Sequence, residues 1–543
     1  MRKKTISSVL SIIRSSGMEI NIDLVLDEKP TRTNQKIKTL SQYVQQYPSG
    51  WKKRLELANL LYTIGCWQQA IQEYQQVIDR QPQFLEVQLK LGKMLQLMGQ
   101  KTDAVAVYEN ALSLIHHEAT RQHISGLIAV CRDDVQEAIL AFESATSLEP
   151  DNVAHWLALG RLQMQREDRV AALRVFETIV SIDPDDLVAL IDRYDALLAL
   201  GKIGAAQDCL DRLVELASED FRVLKRQIEN RCWMRLVFGE PGKQTKQIIN
   251  LARRLAPDGV DTCELVTYYH IFQGDWATGV GVLAQFTEKH PNHPRGWYSY
   301  GRCLFHTGDY QQAASAMLNA YRLYPKDCEI YRALCEILPF IPPLTHLLAP
   351  EGSNGMSISL ALIVEEMLGR FPQRWSVWTT AGRVLVEHLQ EIDRGCGVSA
   401  RATQLQPQLP DAWFRHGRVL ALAGKHQEAV EALTQGWQLL PDAGDYLPSV
   451  LVAVWFGESY RVLGDEAKSR EWWEVACQQA LALMEFEPAT VCYWLGKALQ
   501  GLGDIRGAVE AYQRSLNQQL LYPFRGEVEE ILKQLQVRYS RTH

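Results

Sequence analysis

Six cations that directly follow a glycine recur at one place of a repeating pattern: Lys93, Arg161, Arg302, Arg383, Arg418 and Lys497. Aromatic pairs stand a few positions ahead of three of them, as Trp297-Tyr298, Trp413-Phe414 and Tyr493-Trp494. A guanidinium binds a carboxylate or phosphate through two parallel N–H bonds; an ammonium binds it as a point charge. In a column on one wall, such residues would accept an acidic partner. On a plain helix surface they would keep the chain soluble or pair with an acid of the next repeat. Tyr298, Phe414 and Tyr493 are expected to face the partner, and Arg415 and Arg461 add to the same face. Trp297 and Trp413 occupy a core position.

Motifs for catalysis fail on spacing. GEPGKQT at 239–245 has Gly239 only three residues before Gly242, and Gln244 where a phosphate loop needs Ser or Thr. It reads as an interhelical turn. His116, His117 and His123, and then His290 and His293, cluster at repeat junctions without a carboxylate at ligand spacing. No Gly-x-Ser-x-Gly elbow occurs. We expect no catalytic residue, no metal and no cofactor.

The elements that must position the column repeat at a fixed period. Units start at Trp51, Leu85, Ala119, Val153 and Leu187, each 34 residues after the last. Counted within a unit, the glycine is position 8 and the cation position 9. The fourth unit carries Trp156, Leu159, Gly160, Ala172, Phe176 and Pro184 at positions 4, 7, 8, 20, 24 and 32. Small residues at 8 and 20 let two helices approach closely. Large apolar residues at helical spacing fill the seam. Gly65, Gly99 and Gly201 at position 15 suit the turn between the helices, and Pro at 32 stops the second. One such pair cannot bury its apolar face alone; stacked neighbours bury it for each other.

These residues resemble the tetratricopeptide repeat motif, W-x2-L-G-x2-Y, then A-x3-F-x2-A, then P. The resemblance implies an all-α, right-handed superhelical solenoid of antiparallel helix pairs. It also implies a concave groove, lined by the first helix of each pair, that binds protein or peptide. The family's carboxylate clamp is not met, since Lys93 and Leu127 follow Asn59. Nor is the asparagine ladder of repeats fused to sugar-transfer enzymes.

The period recurs almost to the end of the 543 residues, so one elongated solenoid is expected rather than several globular domains. We divide it as a tail and lead-in over 1–32, an N-terminal array over 33–327, a degenerate unit over 328–374, a C-terminal array over 375–522, and a capping helix and tail over 523–543. Residues 221–259 form a loosened repeat. Pro339, Pro342 and Pro343, followed by Gly352 and Gly355, predict a loop and a kink or hinge near 338–357. In the unit from Trp375, Gly395-Cys396-Gly397 is expected in the turn. Residues 1–17 are too weakly apolar for a secretory leader, and Met18 is a candidate start.

Net charge of −7 gives no bulk attraction to nucleic acid or an anionic membrane. No apolar run reaches the roughly 20 residues that span a bilayer. Eleven cysteines without a C-x-x-C pair suit buried thiols in the cytoplasm. The expected function is a non-enzymatic scaffold whose groove binds an extended peptide or partner protein, acidic in character. The alternative is a regulatory or substrate-presenting subunit of a separately encoded modifying enzyme such as a glycosyltransferase.

Overall fold

The structure, a computed structural model, describes residues 32–542 apart from 64–66, 98–99, 133, parts of 219–258, 342–358, 441–445, 447 and 485–487. After the helix Arg32–Gln46, helix pairs follow one another: Trp51–Thr63 with Trp67–Ile78, Leu85–Leu97 with Lys101–Ser113, Glu118–Cys131 with Val135–Leu148, Val153–Gln165 with Arg169–Ile182, and Leu187–Ala199 with Ile203–Ala217. The order resumes with Val260–Phe272 and Trp276–Lys289, then Pro294–Thr307 and Tyr310–Leu323. Cys328–Ile337 and Leu360–Arg370 flank the degenerate segment. The later pairs begin at Trp375, Pro410, Ser449 and Pro488, and Phe524–Thr542 closes the stack. Consecutive helices pack on each other, and no strand occurs among the described residues. None of the described helices is long and apolar enough to cross a membrane. The lead-in, the GEPGKQT turn, most of the loosened repeat and most of the proline-rich loop lie outside the described residues.

Local chemistry sets each joint. Gly201, Gly274, Gly308, Gly424, Gly464 and Gly503 end first helices with φ from 72° to 90°, a left-handed conformation that costs a side chain energy. The next residue often caps the second helix. Asp275, Asp309, Asp465 and Asp504 each accept the backbone N–H three residues on. The fourth unit departs from this: Glu167 holds the left-handed place with φ 61°.

Within a pair, the glycine at position 8 lies against the large residue at 24. A Cβ added at Gly92, Gly126, Gly160 or Gly496 would stand 2.3–2.6 Å from the ring of Tyr108, Phe142, Phe176 or Tyr512. Between pairs, the position-4 tryptophan is a hook. Trp156, Trp297, Trp378 and Trp413 donate their indole N–H to the carbonyls of Pro150, Pro291, Pro372 and Pro407 at 2.7–2.9 Å. The proline that stops one unit thus supplies the acceptor that seats the next.

The unit from Trp375 corrects one expectation. Gly395 and Gly397 lie inside the helix Ile392–Leu405, and the turn falls earlier, with Gln390 at φ 59°. Gly395 is small for packing: a Cβ there would meet Val386 at 2.6 Å and the Gly382 carbonyl at 2.8 Å. Gly382 and Gly395 let these helices nearly touch, whereas Gly397 has nothing within 4 Å of an added Cβ.

The stack also does more than an open solenoid, in which each unit touches only its neighbours. Ser376 donates its hydroxyl to Glu167 at 2.7 Å, and Arg374 lies 3.6 Å from the same carboxylate. Trp375, Leu409 and Ala412 join the core cluster of Ala189 and Leu190. Gly201 packs against Tyr446, and Lys202 bridges to Tyr446 in backbone register. Further on, the Tyr522 N–H donates to the His306 carbonyl at 3.1 Å. The coil closes, with turns of the N-terminal array docked on the C-terminal array.

Candidate functional site

The position-9 cations are not a row of free charges. Arg161 donates to Asp192 at 2.8 Å, Arg302 to Glu336 at 2.5 Å and Arg418 to Glu458 at 3.1 Å. Lys497 pairs with Glu527 of the closing helix. Asp192, Glu336 and Glu458 each lie on the first helix of the next unit, two elements along the stack, as Glu527 does on the closing helix. Arg383 instead pairs with Glu387 on its own helix at 3.1 Å. Lys93 reaches solvent, but the protein mass crowding it and the nearby Arg161 charge lower its pKa against the pull of Asp192. The first helices therefore carry a charge-balanced ladder.

The aromatic expectation at position 5 divides. Tyr298 is partly exposed, and burial pushes its phenol up to about 12. Phe414 and Tyr493 do not face the groove; they are 1% and 2% exposed. Phe414 fills the space left because position 27 of its unit is Gly436, where a Cβ would meet the ring at 2.6 Å. Tyr493 is covered by the closing helix: its hydroxyl donates to Glu527 at 2.7 Å, and its ring stacks on Phe524 at 4.9 Å. The Gly at 436 was a readable sign of the first burial. Arg461 sits over the Trp473 ring at 5.1 Å.

Closure of the coil gathers three members of the column that are far apart in sequence. Arg302, Arg383 and Arg418 line one cavity of about 620 Å³ between the arrays. Arg332, Arg415, Glu336 and Glu387 line it too, with Trp455 and Trp494 from the last units. The segment 518–524 forms another wall. Lys93, Arg161, Tyr298, Phe414, Tyr493 and Lys497 are not among its lining residues. Arg332, at position 5 of the degenerate unit, was not legible as a site residue, because only the return of the chain brings it into one cavity with Trp455.

Three histidines are held in contacts within the stack. His293 accepts the Gly296 N–H at 3.0 Å and caps its helix. His155 contacts His123 at 3.1 Å and Glu149 at 2.9 Å, a hydrogen-bonded chain inside the stack. Burial holds His123 down to about 4. Glu167, Cys328 and Glu329 converge within 4.8 Å, but the donor set suits a metal poorly. Glu167 is engaged by Ser376 and Glu329 by Arg332, and burial pushes the Cys328 thiol up to about 12.

Tetratricopeptide repeat profiles match residues 55–119, 132–186, 268–327 and 489–519. The fission yeast (Schizosaccharomyces pombe) protein described as anaphase-promoting complex subunit cut9 is 23% identical over 169 residues, 31% of this chain and 23% of that one. The chain thus spans about a quarter of that relative's length. Among solved structures, MamA protein aligns at 23% identity over 32% of this chain and 94% of its own, with a TM-score of 0.23. Yeast Tom70 aligns at 14% identity over 78% of this chain and 96% of its own, with a TM-score of 0.32. With repeat profiles matching in both arrays, and the glycine–aromatic seams and proline-anchored joints described above, this chain carries multiple tetratricopeptide repeats.

Proposed function

We propose that the chain is a non-enzymatic scaffold that holds an extended peptide or a partner protein along the wall formed by its first helices. The observation that carries this reading is the charge ladder itself. Arg161, Asp192 and Lys93 stand within electrostatic reach of one another though they come from three units. Such a wall offers guanidinium donors and carboxylate acceptors in alternation along a partner's length. It would select a matching sequence of charges rather than bulk acidity. The fission yeast relative is by name a subunit of a complex, which fits an assembly role. The nine described cysteines are free thiols, seven of them buried, and they support a reducing compartment such as the cytoplasm.

A photo-crosslinking residue placed at Arg161 tests the wall, with Leu140, 58% exposed on a second helix, as the control. The expected result is capture of the same protein segment at Arg161 and not at Leu140. Equal capture at both positions, or loss of capture from neither Lys93→Glu nor Asp192→Lys, would remove this reading.

A further inference from the structure

The cavity between the arrays has a composition that the groove reading does not use. Five arginines line it: Arg302, Arg332, Arg383, Arg415 and Arg418. Two glutamates line it as well, Glu336 and Glu387. Two more acids stand just behind, Glu329 on Arg332 and Glu458 on Arg418. When these are set against the arginines, one positive charge is left over. It falls on Arg415, which forms no ion pair among the described residues. Arg332 adds a second unmet demand, since its Nε is buried without a hydrogen-bond partner. A polar donor left in that state costs energy until something accepts from it.

The rest of the wall is apolar and aromatic. Phe305, Phe340, Trp455, Trp494 and Phe524 line the same space. Phe340 is 45% exposed and Phe524 37%, so rings stand open at the cavity that elsewhere in this stack are buried in seams. The Arg418 guanidinium lies 5.4 Å from the Trp455 ring centre, and Arg302 lies 5.7 Å from that of Phe305. Cations held over rings in this way keep edge N–H groups for a further acceptor. Arg415 and Arg418, three residues apart on one helix, are neighbours on its surface. At about 620 Å³ the cavity falls in the range of small-molecule sites, and it sits where such sites commonly form, between two packed bodies.

We propose that this cavity binds a small organic monoanion: a carboxylate directed to Arg415 and Arg418, carried on a flat apolar body that packs against Trp455, Trp494 and Phe340. The single surplus charge selects a monoanion. A phosphate dianion would leave one negative charge uncompensated beside Glu336 and Glu387. The inference is independent of the scaffold reading, because its ligand is a molecule rather than a chain.

The test titrates the purified full chain with naphthalene-2-carboxylate, followed by calorimetry and by tryptophan fluorescence. Saturable binding at one molecule per chain is expected, with Arg415→Gln weakening it about tenfold or more, the loss expected for a charge-assisted hydrogen bond. Arg415 is exposed, so this variant should keep the fold; circular dichroism checks that it does. Thr380→Trp, which fills the cavity from another wall, should weaken binding as well. Naphthalene-2-methanol, the neutral analogue, should bind at least tenfold more weakly, and so should phenyl phosphate. No saturable binding, equal affinity for acid and alcohol, tighter binding of the phosphate, or indifference to Arg415→Gln would each overturn the proposal. So would binding of a phenylalanine-terminated tetrapeptide acid with none of naphthalene-2-carboxylate, an outcome that leaves the scaffold reading standing.

Discussion

Glu167 and Ser376 are 209 residues apart and are joined by a 2.7 Å hydrogen bond. The Ser376 backbone N–H reaches the same carboxylate at 3.3 Å. Glu167 occupies a left-handed position that glycine fills in other units, a strain of order 1–3 kcal/mol. A strained residue whose side chain holds the other array is there for that contact. Replacing Ser376 with Ala leaves a buried carboxylate short of a partner and should destabilise the chain by about 1–3 kcal/mol. Denaturant unfolding measures the loss, and small-angle scattering should show a larger radius. Unchanged scattering and stability would mean that the apolar contacts around Trp375 alone hold the arrays together.

The glycines should separate sharply by position. Gly160→Ala drives a methyl into the Phe176 ring and should cost about 1–3 kcal/mol. Gly281, in the middle of the helix Trp276–Lys289, has nothing within 4 Å of an added Cβ. Gly281→Ala should therefore stabilise by up to about 1 kcal/mol through helix propensity. Paired melting curves decide, and a reversed order would contradict the seam geometry.

Acid should weaken the stack well above the carboxylate range. Burial holds His123, His293, His306 and His416 down to about 4, whereas histidines of an unfolded chain titrate near 6.5. Between those values the unfolded chain takes up protons that the folded chain refuses. Stability is thus complete above about pH 6.5 and falls as pH drops through the window, by up to about 1.4 kcal/mol per pH unit for each histidine. Melting temperatures at pH 7, 6 and 5 should decline progressively, and His123→Asn should flatten the slope. A flat profile down to pH 4.5 would exclude this account.

The ladder should contribute little to folding. The side chains of Arg161 and Asp192 keep 46% and 20% of their exposure, so a double-mutant cycle should give a coupling of about 0.2–1 kcal/mol. The small value matters for binding, because a pair that costs little to open can trade its partner for a ligand group. A coupling several times larger would mark the ladder as a fixed structural element.

The repeat was legible because each unit states its own geometry. Gly160 against Phe176 and Trp156 behind Pro150 are local spacings, and local spacing survives in sequence. The cations at position 9 were legible as a column for the same reason. Their pairing was legible only in part: Glu336 and Glu458 stand at position 9 of the next unit, in register with the cations, whereas Asp192 stands at position 6. Phe414 was read as groove-facing because position 5 usually is, yet the missing methyl of Gly436 drew it inward. The cavity was not legible at all. It exists only where Arg332 and Trp455 come to line one space across the closure, and no periodicity within a unit encodes that.

The contacts of Glu167 with Ser376 and of His306 with Tyr522 make the coil sensitive to how many repeats it contains. Duplicating or deleting one 34-residue block between such partners would leave every individual joint intact and still carry one partner past the other. Copy number, which an open stack can vary freely, is therefore fixed in this protein by the distance at which its own ends of the spiral must meet.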